Sequence, residues 1–143
     1  MPKTYETENE IAELIQKFED ASIARETWKH AEHLVVALYY IDRYGLAAGT
    51  DKMRDGLFNL LIKGFAVDLE KEMPYHETLT IFWMKTVAEF NAAKNGTSLL
   101  DKTNEILEKY AKDYPLRFYS RVLLFSDQAR STFVDGDLNP NEK

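Results

Sequence analysis

Trp28-Lys29-His30-Ala31-Glu32-His33-Leu34, continued by Val35-Val36-Ala37-Leu38-Tyr39-Tyr40-Ile41, is the stretch on which the reading of this chain turns. At about 100° per residue, His30, His33, Leu34, Ala37, Ile41 and Tyr44 share one helical face, and Glu32, Tyr39, Asp42 and Arg43 share the other. The pattern predicts a helix capped by Thr27, whose hydroxyl can accept a free first-turn amide. Gly45 is its natural stop. Two histidines therefore stand at the N-terminal end of an apolar face, with the small Ala37 one turn deeper.

A second segment answers the first. Tyr75-His76-Glu77-Thr78 opens a predicted helix that runs to about Asn95 and is closed by Gly96. His76, Leu79, Thr80, Trp83, Val87 and Phe90 lie on its inner face, so a histidine again heads a core stripe. The chain has three histidines, and all of them fall in these two segments.

Between the two, Gly45 to Gly49 reads as a loop. Thr50 caps a helix that runs to about Lys71 and is apolar on two sides. Met53, Leu57, Leu60, Gly64 and Val67 form one stripe, and Phe58, Ile62, Phe65 and Leu69 form another. Such a helix is either sandwiched or sits at an oligomer interface, which makes a homodimer one expectation. Upstream, Asn9 or Thr7 caps a helix to about Ile23 with Ile11, Leu14, Ile15 and Phe18 inward. Downstream, Ser98 caps a helix ended by Asp113-Tyr114-Pro115. Leu116 to Phe125 reads as helical, and Ser126 caps a last helix, Asp127 to Val134.

Short loops favour antiparallel neighbours. The expectation is one all-α domain over residues 1–143. It has an antiparallel four-helix-bundle-like core, additional short C-terminal helices, and tails at 1–8 and 138–143. In that topology the helices bearing His30, His33 and His76 start at the same end of the bundle. An i, i+3 pair of imidazoles can reach one ion, and a third from a facing helix completes a three-nitrogen set with open positions. The expected ligands are His30, His33 and His76, and the expected metal is zinc, iron, nickel or manganese. Glu77 is the nearest carboxylate, a candidate fourth ligand or catalytic general base. Tyr75 adjoins His76 and is a candidate substrate contact. The helix N-termini keep imidazoles neutral and favour an anionic ligand. Arg121 and Arg130 would add to that effect if the C-terminal helices cover the mouth.

Composition narrows the alternatives. Of 143 residues, 45% are hydrophobic and 13% aromatic, enough for a packed core. A net charge of -6 without a basic stripe argues against nucleic acid and against an anionic membrane surface. The absence of cysteine removes disulfides, thiolate ligands and cysteine nucleophiles. The longest apolar run, Leu34 to Ile41, is too short to span a bilayer. Met1 to Glu6 lacks the apolar core of a signal peptide, so a cytoplasmic location is expected. The functional expectation is a metal-binding protein acting on, or binding, a small molecule. The rival is a non-enzymatic interaction or ligand-binding module with structural histidines. Asp135-Gly136-Asp137 lacks the further ligands of a cation loop and reads as a turn.

In combination, W-x-H-x-x-H-L (Trp28 to Leu34), Y-H-E-T-x-T (Tyr75 to Thr80), F-Y-S (Phe118 to Ser120), S-x-x-A-R (Ser126 to Arg130) and D-L-x-P (Asp137 to Pro140) resemble a family of small uncharacterised bacterial helical proteins. The resemblance implies that Tyr119, Ser126, Arg130 and Asp137 belong to the same arrangement as the histidines, with Tyr119 and Arg130 as substrate contacts. By looser analogy, helical bundles with three inward histidines include metal-dependent hydrolases and thiol transferases.

Overall fold

The computed structural model describes residues 4–72 and 74–138, and every ordered element among them is helical. No helix among them is long and apolar enough to cross a membrane. Pro140, the last position of the D-L-x-P pattern, lies outside the described residues.

Helix α1 (Glu8–Glu19) is opened by Thr7, which accepts the Glu10 amide while the Glu10 carboxylate accepts the Thr7 amide. It buries Ile11, Leu14, Ile15 and Phe18, and it ends before Ile23 because Ala21 turns into the left-handed region (φ 58). The stretch before it is no loose tail. Tyr5 is buried, and its backbone exchanges two hydrogen bonds with the Asn104 side chain, at 2.7 and 2.8 Å.

Helix α2 (His30–Asn59) holds the two central predicted helices, broken at Gly45 (φ 82, ψ 178). The five-residue loop expected there is absent. Glycine reaches this backbone conformation without strain, so one residue makes the turn. The second arm then returns along the first. Lys52 reaches over the Tyr40 and Tyr44 rings, at 5.5 and 4.9 Å. Gly49 approaches so closely that a Cβ there would stand 3.0 Å from the Tyr40 carbonyl oxygen. Thr50 is consequently a buried residue inside the second arm rather than its cap.

The start of α2 also differs from expectation. Thr27 is spent in a tight turn on the Ala24 carbonyl, and the helix begins at His30. The Glu32 carboxylate reaches back to the Lys29 amide at 3.1 Å, which draws Glu32 from the predicted solvent face into a buried position.

A wide turn over Leu60–Gly64 ends the second arm, and the helix does not reach Lys71. Downstream, the Asp68 side chain accepts the Glu70 amide and holds a local turn that competes with helix. The second apolar stripe is mostly covered by the chain itself. Phe58 packs on Tyr75 and Phe65 lies under Arg25, while Ile62 is left exposed.

Helix α3 (Glu77–Ala93) packs against α2 along Trp83, Met84, Val87 and Phe90. Helix α4 (Leu99–Lys109) is capped by Ser98. It is stapled inward by the buried Lys102, whose ammonium donates to Asp42 of α2 at 2.6 Å and Asn91 of α3 at 2.7 Å. Beyond it the predicted Leu116–Phe125 helix is divided. A 3₁₀ turn over Tyr114–Arg117 comes first, then α5 (Arg121–Leu124), capped by Ser120. The cause is Asp137, whose carboxylate takes both the Ser120 amide and its hydroxyl. Helix α6 (Asp127–Ser131) is capped by Ser126 and stops short of Val134.

Candidate functional site: an aromatic cavity lined by the three histidines

The C-terminal segment folds back onto the start of α3. Thr78 donates to the Thr132 carbonyl and accepts the Val134 amide, at 3.0 and 3.1 Å. Between this segment and the N-terminal ends of α2 and α3 lies a cavity of about 920 Å³. His30, His33 and His76 all line it, so the two histidine segments do converge on one space. Trp28, Tyr75 and Trp83 form much of its aromatic wall, and Leu57 of the returning arm reaches the same space. Pro115, Leu116, Leu124 and Phe125 close the opposite side.

The three imidazoles are not equivalent. His76 is the N-cap of α3. Its Nδ1 accepts the Leu79 amide at 3.1 Å, so its proton is on Nε2, which donates to the Leu124 carbonyl at 2.6 Å. Both ring nitrogens are thus committed, in the neutral form. Burial lowers its pKa, and the Arg130 charge lowers it further against the opposing pull of the Leu124 carbonyl.

His30 is the first residue of α2. Its Nε2 donates to the Tyr110 carbonyl at 3.0 Å, and its ring lies 5.0 Å from that of Trp83. In the neutral ring Nδ1 keeps a bare lone pair. Burial again lowers the pKa, opposed by the carbonyl and assisted by Lys112.

His33 stands 5.9 Å from the Trp28 ring, and neither of its ring nitrogens is hydrogen-bonded to a described residue. It is half-buried and lines the cavity. Burial, with a smaller contribution from His30, brings its pKa down to about 4. At neutral pH it is an uncharged imidazole with its polar atoms unspent.

Glu77 stands apart from the cavity lining. Arg54 grips its carboxylate with Nε and a terminal nitrogen, at 3.0 and 2.8 Å, and the Tyr75 hydroxyl donates to the same group. Burial pushes the Glu77 carboxyl up, but these partners outweigh it and hold the pKa below the usual range. A carboxylate held this way is a poor proton acceptor, and the geometry makes it a clamp between α2 and α3. Tyr75 is shared: its ring faces the cavity while its hydroxyl belongs to the clamp, and burial together with Glu77 pushes its pKa up to about 12.

Tyr119 and Arg130 do not line the cavity. The buried Tyr119 hydroxyl donates to the Val134 carbonyl, holding the segment's own fold. Ser126 is the N-cap of α6, and Asp137 holds Ser120, the N-cap of α5. Among the described residues, no three His, Asp or Glu side chains are grouped to share a metal ion.

Two parts of the site were not fixed from sequence. One is the roof, Pro115 to Phe125, which entered only as the condition that the C-terminal helices cover the mouth, because its return over the histidines depends on contacts far apart in the chain. The other is the pair Lys29 and Lys112, which no motif singled out. Lys29 was findable, since it adjoins His30.

No family model matches the chain, and no curated protein or solved structure does.

Proposed function

We propose that this protein binds a small organic molecule in the histidine-lined cavity, with an antiparallel four-helix-bundle-like scaffold supporting the site. The observation that carries this reading is His33. It is a neutral imidazole facing an aromatic space large enough for a metabolite-sized ligand, with its donor and acceptor unspent. His33 is half-buried and its nitrogens have no partner among the described residues, so a bound molecule would take the place of the water they meet. Binding is favoured over proton-transfer catalysis because the candidate base, Glu77, is neutralised by Arg54.

Ligand-observed NMR against a fragment library tests the reading. Fragments should bind the wild type and be lost on Ala111→Trp, which sets an indole at an exposed position on the cavity wall. Hits that survive that substitution would show that binding lies elsewhere.

A second reading has one observation in its favour. His30 Nδ1 and His33 are an i, i+3 pair with nitrogen lone pairs to spare, so a divalent transition metal would rest on these two and on groups from its ligand. His76 could join only by giving up its helix cap and its bond to Leu124. Metal analysis of untagged protein, after exposure to zinc, iron, nickel or manganese, decides the matter. A stoichiometric metal lost in His33→Ala supports this reading, and substoichiometric metal in the wild type removes it.

A further inference from the structure

The rim of the cavity differs from the rest of the surface. The chain carries 24 acidic against 18 basic residues. Three of those cations, Lys29, Lys112 and Arg121, nevertheless stand on the cavity wall with only one acid, Asp113. They come from three separate places: the residue before α2, the stretch after α4, and the first residue of α5. All three are exposed, and none is in an ion pair with a described residue. Cations without an ion pair to a described residue are common on this surface, Lys17, Arg43, Lys63 and Lys85 among them, so what sets the mouth apart is the grouping of three around one cavity with a single acid. The Lys112 charge reaches inward as far as His30. Deeper in, the wall is Trp28, Trp83, Leu57, Leu79 and Leu124, without a charged side chain among them.

From this division into a cationic mouth and an apolar interior we infer that the ligand is an amphipathic organic anion, a carboxylate on an aromatic or branched apolar body. Its body lies against the two tryptophans, and its anionic head stays at the mouth among Lys29, Lys112 and Arg121. His33 hydrogen-bonds to a neutral polar group on the body. The inference rests on the cavity being a binding site, and it adds the charge and orientation of the occupant. A carboxylate head keeps part of its hydration at the rim, whereas burying it among the tryptophans would cost far more than pairing returns. A neutral ligand would leave the three cations without a role, and a polyanion would find no counter-charge inside.

Two fluorescent probes separate the parts of the claim. Anilinonaphthalene sulfonate carries an anion on an aromatic body, and N-phenylnaphthylamine is nearly the same body without charge. Both should bind the wild type and be displaced by Ala111→Trp. The double substitution Lys112→Glu with Arg121→Glu should weaken the sulfonate by about tenfold or more and leave the neutral probe within about twofold. Added salt should likewise weaken only the sulfonate. Lys112→Gln with Arg121→Gln should give an intermediate loss, and it guards against a folding defect in the first variant. If both probes respond alike to charge reversal, the anion inference is overturned while the cavity reading stands. If neither probe responds to Ala111→Trp, the cavity reading falls and takes this inference with it.

Discussion

His33 shows how one side chain can report on its surroundings through stability. Its pKa is near 6.5 in the unfolded chain and about 4 in the fold. The folded protein therefore resists protonation of His33, and the unfolded chain accepts it. Stability is full above the unfolded value and is lost as pH falls from there towards the folded one. The expected loss from His33 by the folded value is on the order of 3 kcal/mol, and His30 and His76 add to it with the same sign. Urea melts from neutral pH to mildly acidic pH should show that decline. His33→Gln should flatten it while leaving neutral-pH stability little changed. An identical slope in the variant would remove His33 as the cause. Glu77 gives a contrasting case. Glu77→Gln should destabilise by about 1–3 kcal/mol, because Arg54 loses its charged partner in a partly buried place. It should leave probe binding within a few-fold. A preserved melting midpoint with abolished binding would return Glu77 to the site.

At the scale of elements, the places where helices lie were legible, and how they end was less so. Thr7, Ser98 and Ser126 cap the helices that their positions announce, since a cap depends only on residues within one turn. His76 was read as a ligand, yet it too is a cap, because imidazole is rarely weighed among helix caps. Gly45 was read as a stop followed by a loop. The structure instead makes the reversal at that single residue, which no local pattern distinguishes from an ordinary helix end. Gly45→Ala should therefore cost about 1–3 kcal/mol, the strain of a side chain in glycine-only territory. Chemical denaturation measures it, and a cost near zero would mean that the backbone relaxes. Lys102 could not be read at all as a buried group, since its partners Asp42 and Asn91 sit on two other helices. Lys102→Ala should cost about 1–2 kcal/mol by removing the shared partner of Asn91 and of the partly exposed Asp42, and the Asp42→Asn variant should recover part of that loss.

For the whole molecule, convergence of the three histidines was legible because it needs only helical phase and short connections. What each imidazole does was not, because Tyr110 and Leu124 lie far along the chain and supply backbone carbonyls, which leave no mark in the sequence. The Leu124 carbonyl belongs to the roof, and the C-terminal segment is fastened to the start of α3 by the hydrogen bonds of Thr78 and His76 and farther along by Phe82, packed on Tyr114, Phe118 and Tyr119. Thr78→Val should loosen it without unfolding the core. Limited trypsin digestion should then cut at Arg121 or Arg130 several-fold faster than in the wild type, and a cavity ligand should slow the cut again.

The order of the chain gives the Gly45 hairpin and the roof different histories. The floor of the cavity, from Trp28 through Trp83, is synthesised before any of Pro115 to Phe125. During vectorial synthesis the three imidazoles would thus be present, and the helices able to pair, while the site still lies open to water. Occupancy would begin only once the roof emerges, so a ligand could stabilise the finished chain but could not template its early folding.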